Sequence, residues 1–263
     1  MKLLFVIPSL SLTGGVASHY AGLAPYWTAS ICYSTYGKRE KIPAPLTLLP
    51  DIISYIFKIA FNKIDVVVVN PSLRRYQLFR DGIYILIALL FKKKVVTFIH
   101  GWDISLSAKL EKRNILFTRI YGKSAFIYVL SSAFKASLIR MGIQCPILQT
   151  TTKIDDSFLD QTTSKTETRV QRILFLSRII KTKGIYIAID AFHLLKQEFK
   201  DLELLVCGDG AELEAAKKYV NERSIPDVTF RGRVTGIDLI NSYQQSDIYI
   251  LPSYEEGLAT SVL

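Results

Sequence analysis

Cysteine is scarce in this sequence, and its three residues do not have the spacing of metal ligands. Cys32, Cys145 and Cys207 are far apart, and each has apolar neighbours. This number and spacing exclude a disulfide-rich secreted domain and a cysteine zinc site. We therefore expect three buried thiols in a reducing compartment.

Long hydrophobic runs are also lacking. The longest run, at residues 83–91, has nine residues, whereas a membrane-spanning helix needs about 20. The apolar run at residues 3–7 is shorter than the core of a secretory signal peptide and indicates a first β-strand. We therefore expect a cytoplasmic protein, which would lie on the inner face of the membrane if it binds lipid.

Common nucleotide and metal motifs are missing as well. The sequence contains neither a Gly-x-Gly-x-x-Gly fingerprint nor a Walker phosphate loop. It also contains no Asp-x-Asp metal motif. A nucleotide site in this chain would therefore be built from other loops.

Acidic residues are few in the first half of the chain. Residues 1–150 contain 19 Lys and Arg against 6 Asp and Glu, whereas residues 151–263 contain 14 against 17. This difference in charge suggests two domains with different partners. A basic surface attracts anionic lipid, phosphate or nucleic acid, but a solvated face that serves solubility alone would have the same charge.

Short apolar runs alternate with longer helical stretches along the chain. Runs such as residues 66–69 are apolar on both faces, which is typical of a parallel sheet covered by helices on both sides. In the first half, the predicted strands are residues 3–7, 31–35, 65–70, 94–100, 125–130 and 146–149, and the predicted helices are residues 15–28, 50–61, 76–92, 106–122 and 132–141. This alternation predicts a doubly wound α/β fold.

A polar segment rich in Thr and Ser, residues 151–172, is predicted to be a linker. A second series follows it, with predicted strands at residues 173–177, 202–207, 228–230 and 247–251 and helices at residues 184–199, 211–223 and 236–245. We therefore predict two Rossmann-like domains, at residues 1–150 and 173–263. They would face a cleft at the carboxyl ends of their strands, where ligands bind in open α/β sheets.

Two loops of the first half contain candidate ligand-binding residues. Gly14 and Gly15 precede a helix, where the backbone approaches a ligand closely and the helix N-terminus favours an anion; most glycines before helices simply form turns. His100 follows the fourth strand, and its neutral imidazole would bond a sugar hydroxyl, whereas its cation would meet a phosphate. A structural histidine bonded to a nearby carbonyl is the alternative.

Two loops of the second half have a similar character. Arg178 and Lys183 follow the first strand and suit a diphosphate, since one offers a planar fork and the other a mobile charge. A solvated helix entrance would have the same composition. The next strand is followed by a tight turn that would allow the backbone to meet a flat ring; its residues are Gly208, Asp209 and Gly210.

The loop after the last predicted strand contains an acidic residue and a glycine. Glu256 would accept hydrogen bonds from sugar hydroxyls, and Gly257 would allow close approach before the amides of a helix. An exposed acidic turn is the alternative for this loop alone. Taken together, however, five such loops at matching strand ends favour a ligand site.

In this order, the loops resemble glycosyltransferase family 4, whose members are retaining enzymes with the GT-B fold. The resemblance covers nearly the whole chain, is most specific at residues 173–263, and rests on Gly14-Gly15, His100-Gly101, Ser177-Arg178 with Lys183-Gly184, Gly208-Asp209-Gly210, and Pro252-Ser253 through Glu256-Gly257-Leu258. It implies transfer of a sugar from a nucleoside diphosphate sugar to a glycan or lipid-linked acceptor in bacterial-type polysaccharide or glycolipid synthesis.

The resemblance also implies a role for each residue. Arg178 and Lys183 would hold the diphosphate and stabilise the charge on the leaving group, so neither a metal ion nor another cofactor is expected. Glu256 would contact hydroxyls of the donor sugar, and His100 would reach its reacting side. The other implied donor contacts come from the amides of Gly257 and Leu258, from Gly208, Asp209 and Gly210 near the base, and from Gly14 and Gly15 over the phosphates.

The chain departs from the family pattern in two places. The second Glu of that pattern would follow directly after Leu263, so we expect a second domain truncated at its C-terminus. Thr152 and Lys153 stand where the linking loop usually has Asn-Gly. The alternative is therefore an inactive remnant, or a non-catalytic half of a split enzyme that is bound to the membrane and needs a complementing chain.

The first domain would meet the acceptor, and its predicted helices are both apolar and basic. Residues 52–61 and 83–91 are largely apolar, and basic residues flank the second run at residues 92–94 and at Arg74, Arg75 and Arg80. This combination suits docking on an anionic membrane, at about 1 kcal/mol for each basic residue near the surface. Packing of the helices on the sheet would also explain the apolar residues.

Two further functions fit less well. A nucleotide-sugar epimerase shares the fold but needs catalytic carboxylates and a His in the cleft, whereas Arg178, Lys183 and Glu256 suit transfer. Nucleic-acid binding would need exposed aromatic residues interleaved with cations. The basic half contains no recognisable module of that kind, so we expect no nucleic-acid partner.

Overall fold

The computed structural model describes residues 1–10, 14–37, 44–154, 156, 169–254, 256 and 258–262. The chain divides into two compact units. Unit 1 comprises Met1–Asp155 with Glu256–Leu263, and unit 2 comprises Asp156–Glu255. The last residues are thus grouped with unit 1, whereas the sequence placed them in the second domain.

Unit 1 is built around a six-stranded parallel sheet. Its main strands are β1 (Lys2–Pro8), β2 (Ser30–Tyr36), β3 (Val66–Val69), β5 (Lys94–Ile99), β7 (Phe126–Val129) and β8 (Ile147–Gln149). Its helices are α1 (Gly15–Leu23), α2 (Ala44–Phe61), α3 (Arg75–Leu90), α4 (Ile104–Lys112), α5 (Ile115–Tyr121) and α6 (Ser132–Arg140), with short 3-10 helices at Ala24–Tyr26 and Thr260–Val262. The strand order is β2-β1-β3-β5-β7-β8.

Both faces of this sheet are buried because side chains alternate along each strand. Leu4 and Val6 pack in one cluster with residues of α2 and α3. Phe5 and Ile7 point to the other face, where they pack with Tyr20 of α1. This arrangement explains why the strands are apolar without interruption.

Unit 2 repeats the design with four strands. Its strands are β9 (Arg172–Leu176), β10 (Glu203–Cys207), β11 (Val228–Gly232) and β12 (Ile248–Tyr249), and its helices are α7 (Ile185–Glu198), α8 (Leu213–Glu222) and α9 (Ile237–Gln244). All strand pairs are parallel, in the order β11-β10-β9-β12. The predicted α/β class with parallel, doubly wound sheets is therefore confirmed.

The structure differs from the predicted elements in several places. The predicted helix at 106–122 is two helices, α4 and α5, because Arg113 is extended and Asn114 is the N-cap residue of a new helix. The helix expected at 50–61 begins earlier, at Ala44. A two-stranded parallel sheet, formed by β4 (Ser72–Leu73) and β6 (Gly101–Trp102), was not predicted.

The three cysteines are free, but they are not equally buried. Cys207 is buried at the end of β10, whereas Cys32 and Cys145 are partly exposed. The prediction of three buried thiols is therefore wrong for Cys32 and Cys145. Cys32 lies on β2, which is an edge strand of its sheet, and Cys145 lies in the turn before β8, the other edge strand.

None of the helices in the described part of the chain is long and apolar enough to cross a membrane. This result agrees with the short hydrophobic runs of the sequence.

A buried ion pair joins two consecutive residues of α3. The guanidinium of Arg80 donates from Nε and Nη2 to the two carboxylate oxygens of Asp81, at 2.8 and 2.9 Å. The Asp81 side chain is fully buried, and the Arg80 guanidinium also lies 3.6 Å from the centre of the Tyr36 ring at the end of β2. The prediction that Arg80 belongs to a basic surface is therefore wrong, because Asp81 and Tyr36 hold its charge inside the unit.

Replacement of Asp81 should destabilise the protein strongly. Asp81→Asn removes the negative charge and leaves the Arg80 charge buried without a partner, which costs about 3–5 kcal/mol. The matched control is Glu111→Gln, since Glu111 pairs with the exposed Arg140 and water screens such a surface pair. Urea denaturation of both variants measures the difference, and similar losses of stability would contradict this account.

Candidate functional site

Each of the two larger sheets has one position where the strand order reverses. In unit 1 it lies between β1 and β3, and in unit 2 between β9 and β12. The loops at the carboxyl ends of the two strands diverge there and leave a crevice, which is the usual ligand site of open α/β sheets. We therefore expect ligand-binding residues near these two positions.

In unit 2, the loop after β9 contains both predicted cations. Arg178 is exposed, and its guanidinium makes no ion pair with any residue that the structure describes. Lys183 is partly exposed and ends the 3-10 helix Lys181–Lys183. Gly184 follows in the left-handed conformation (φ 76°) and caps α7, so Lys183 lies directly before the N-terminus of a 14-residue helix.

The glycines of the next loop are required by contacts within the unit. A Cβ at Gly208 would overlap the carbonyl oxygen of Ser177, and one at Gly210 would overlap that of Ile179. The amide of Ile179 also donates a hydrogen bond to Asp209 O at 2.9 Å, which holds the two loops at this short distance. The turn at residues 208–210 is thus packed directly on the loop that contains Arg178.

The loop after β12 is held against the same segment. A Cβ at Gly184 would overlap the carbonyl oxygen of Pro252. The amide of Tyr254 and the hydroxyl of Ser253 both donate to Thr182 O, at 2.9 and 3.2 Å. The loops after β9, β10 and β12 therefore form one connected edge of unit 2, which contains five of the predicted residues: Arg178, Lys183, Gly208, Asp209 and Gly210.

In unit 1, the loop after β1 ends in the predicted glycine pair. Gly14 precedes α1, and no described atom lies within 4 Å of where its Cβ would be. A Cβ on Gly15 would lie 3.5 Å from Thr260 Cγ2, which is an ordinary contact. Protein packing in the described residues therefore does not explain this pair, in contrast to the glycines of unit 2.

His100 belongs to a hydrogen-bond network at the carboxyl ends of β3 and β5. Its Nε2 lies 3.1 Å from Oδ1 of Asn70, and that oxygen also accepts from the Tyr20 hydroxyl at 2.7 Å. The amide group of Asn70 donates to Val6 O on β1 at 3.2 Å. The partner of His100 is thus the side-chain carbonyl oxygen of Asn70, a contact that the structural alternative for His100 also predicts.

A second histidine lies beside this network. The His19 ring centre is 5.6 Å from that of His100, and Nδ1 of His19 accepts from the Lys153 amide at 3.0 Å. Burial lowers the pKa of His19 to about 4. Burial, and next the His19 ring, lower the pKa of His100 to about 3. These shifts favour neutral rings at pH 7, so burial opposes the cationic form of His100 that the sequence also allowed.

Sequence reasoning missed Asn70 and Tyr20 of this network and His19 beside it. Asn70 directly follows the four valines of β3, so reading the residue after that strand would have found it. Tyr20 and His19 are buried on α1, and the helical pattern could not show that they meet residues 50 and more positions away.

The last loop is described only in part. Glu256 is exposed, the side chain of Leu258 packs against the core of unit 1, and Gly257 lies outside the described residues. Among the described residues, no cluster of three or more His, Cys, Asp or Glu side chains could hold a metal ion.

In sequence, this chain is similar to known glycosyltransferases. Residues 159–263 match the family model described as "Glycosyl transferases group 1". Over 165 residues the chain is 29% identical to the amylovoran biosynthesis glycosyltransferase AmsK of Erwinia amylovora, an alignment that covers 61% of this chain and 40% of that relative. The chain therefore matches less than half of the relative's length.

Solved structures show the same fold. Anabaena Alr3699/HepE, solved in complex with UDP and glucose, superposes with a TM-score of 0.69 at 16% identity, over 98% of this chain and 76% of that chain. The UDP-GlcNAc 2-epimerase from Neisseria meningitidis superposes with a TM-score of 0.59 at 16% identity, over 95% of this chain and 76% of that chain. A fold shared with an epimerase does not by itself define the reaction. The chain thus has the α/β fold of the GT-B glycosyltransferases, and its residues 159–263 match the glycosyl transferases group 1 family.

Proposed function

We propose that this chain transfers a sugar from a nucleoside diphosphate sugar to a glycan or lipid-linked acceptor in polysaccharide or glycolipid synthesis. The observation that carries the proposal is the edge of unit 2, where an exposed Arg178 and a partly exposed Lys183 precede the N-terminus of α7. The match of residues 159–263 to glycosyl transferases favours transfer over epimerisation.

A diphosphate fits this edge for electrostatic reasons. The N-terminus of α7 carries a partial positive charge and unpaired amides, which favour an anion. Arg178 adds a planar fork for two phosphate oxygens, and Lys183 adds a second positive charge. As the bond to the sugar breaks, negative charge grows on the diphosphate, and the same groups stabilise it more strongly than in the ground state.

The sugar end of the donor would meet other residues. We assign the contact with donor hydroxyls to Glu256, with support from the amides of Gly257 and Leu258, and the contact at the reacting side to His100. Gly14 and Gly15 would approach the phosphates, since the space beside Gly14 is open among the described residues. Retention of configuration and membership of glycosyltransferase family 4 belong to this proposal through the sequence resemblance.

Nucleotide binding should depend on Arg178. Arg178→Ala removes charge-assisted hydrogen bonds worth about 1.5–3 kcal/mol, so we expect the affinity for UDP or GDP to fall about 10- to 100-fold. Isothermal titration calorimetry of the chain with each nucleotide measures this change.

The matched control is Arg169→Ala. Arg169 is also exposed, but it precedes β9 and pairs with Asp201 at the opposite edge of the sheet. Its loss should leave nucleotide affinity unchanged. Equal losses in the two variants would argue against a specific diphosphate site, and a folded chain that binds no nucleotide would favour the remnant or split-enzyme alternative.

Transfer should need no metal ion. Arg178 and Lys183 supply two positive charges to the diphosphate, which is the role that a divalent ion has in metal-dependent transferases. We therefore expect that EDTA leaves both nucleotide affinity and release of nucleotide from sugar donors unchanged. Loss of either property in EDTA, followed by recovery with Mg²⁺ or Mn²⁺, would contradict the proposal.

We further propose that unit 1 binds an anionic membrane through α2 and α3. The two helices are neighbours, since the Tyr55 hydroxyl of α2 donates to Tyr84 O of α3 at 2.9 Å. Apolar side chains are nevertheless exposed on both helices: Leu49, Ile53, Ile56, Phe57 and Phe61 on α2, and Phe79, Leu86 and Leu90 on α3. The alternative that these helices only pack on the sheet does not account for this outward apolar surface.

The charges around this surface suit an anionic partner. Exposed cations flank the helices at Arg74, Arg75, Lys63, Lys92 and Lys94. The acidic residues of the helices, Asp51 and Asp81, are buried and do not oppose them. Apolar insertion with basic flanks is the combination that holds interfacial helices on anionic lipid.

Removal of exposed aromatic residues from α2 should weaken membrane binding. Phe57 and Phe61 stack on each other and are 59% and 75% exposed. Because each buried Phe contributes about 1.5–3 kcal/mol, Phe57→Ser with Phe61→Ser should reduce binding to phosphatidylglycerol-containing vesicles at least about tenfold in co-sedimentation.

The control changes two exposed apolar residues of unit 2, Leu194→Ser with Phe199→Ser. This variant should bind the vesicles as the unchanged chain does. Equal binding by both double variants, or equal binding to neutral phosphatidylcholine vesicles, would refute the docking surface.

A further inference from the structure

Asn70 occupies the carboxyl end of β3, beside the position where the strand order of unit 1 reverses. Its side chain is 2% exposed, so both ends of its amide need hydrogen-bond partners. The NH2 group donates to Val6 O at 3.2 Å and lies 3.5 Å from Val68 O. Carbonyl oxygens only accept, so the orientation of the amide is determined and Oδ1 faces Tyr20 and His100.

This orientation determines the proton position on His100. Oδ1 of Asn70 is an acceptor, so the 3.1 Å contact with His100 Nε2 is a hydrogen bond only if Nε2 carries the proton. A neutral imidazole has one ring proton, and Nδ1 is then a bare acceptor. No residue in the described ranges hydrogen-bonds to that nitrogen, and His100 is partly exposed.

The ring itself is held in place by its neighbours. The Phe98 ring centre lies 3.8 Å from that of His100, and the His100 amide donates to Pro71 O at 3.0 Å. Orientation and tautomer are thus set by different contacts. Asn70 determines which tautomer His100 adopts, since its side-chain oxygen accepts the hydrogen bond from Nε2.

We propose that Asn70 is a positioning residue, which holds His100 in the Nε2–H tautomer so that Nδ1 accepts a hydrogen bond from a hydroxyl of the bound sugar. This inference rests on the proposed sugar transfer. This tautomer makes His100 selective for its ligand. Nδ1 accepts a hydrogen bond from a hydroxyl, whereas a phosphate oxygen without a proton cannot donate one to it. Asn70 makes this contact without touching the sugar.

The tautomer can be measured without any assay of transfer. In the unchanged chain labelled with 15N-histidine, long-range 1H–15N NMR distinguishes a protonated ring nitrogen from a bare one. We expect the proton of His100 on Nε2 and a bare Nδ1 at neutral pH. His19→Gln and His193→Gln variants assign the signals. A proton on Nδ1 of His100, or a doubly protonated ring, overturns the inference whether or not the chain proves to be a transferase.

A change at Asn70 should then act through His100. In Asn70→Ala the tautomers should mix, whereas Tyr20→Phe, which removes the other donor to Oδ1, should leave Nε2 protonated. Circular dichroism melts establish that both variants are folded.

Kinetics separate positioning from a structural role. Loss of the hydrogen bond that fixes the His100 tautomer should lower kcat/KM about tenfold in Asn70→Ala. The double variant with His100→Ala should be no slower than His100→Ala alone, because both changes remove the same contact. Losses that multiply in the double variant would mean that Asn70 acts independently of His100, and the positioning role would be refuted.

Discussion

The pairing of β9 between β10 and β12 is the constraint on which the edge of unit 2 depends. Three parallel strands end side by side, so the loops that follow them must share a narrow edge. The loops are closer than a Cβ permits at Gly184, Gly208 and Gly210, where carbonyl oxygens occupy the space. Backbone groups of the three loops therefore bond to each other, and the charged side chains of Arg178 and Lys183 are left at the surface of a rigid edge.

The candidate residues of the two units differ in charge. Unit 2 places positive charge at a helix N-terminus, which suits the diphosphate that we propose as leaving group. Unit 1 contains a buried His19 and a partly exposed His100, and desolvation lowers the pKa of both, which favours their neutral forms at pH 7. A neutral ring in a fixed tautomer recognises hydroxyls, so the proposed roles divide into anion binding by unit 2 and sugar recognition by unit 1.

Two groups of buried polar side chains in unit 1 connect separate elements of the fold. Asn70 bonds three elements at once, since it contacts Val6 of β1, Tyr20 of α1 and His100 after β5. Arg80 and Asp81 form another buried polar pair and connect α3 to Tyr36 at the end of β2. Buried polar groups are costly unless they are paired, so these contacts also specify how helices and strands meet.

Much of the fold and part of the site could be predicted from the sequence. Apolar runs such as Val66–Val69 and the helical stretches between them predict parallel α/β sheets, because a strand buried on both faces has no polar positions. Arg178 and Lys183 could be placed at a strand end by counting along the chain. These are local properties, since a strand and the loop after it are adjacent in sequence.

Only the tertiary structure determined the contacts between distant residues. The sequence placed Arg80 on a basic surface, but Asp81 and Tyr36 hold it inside. It considered a cationic His100, but burial beside His19 favours the neutral ring. It assigned the glycines at 208–210 to a ligand, although Ser177 and Ile179 already require them. In each case the result depends on desolvation and on partners brought together by strand order, and neither is encoded in the local pattern of residues.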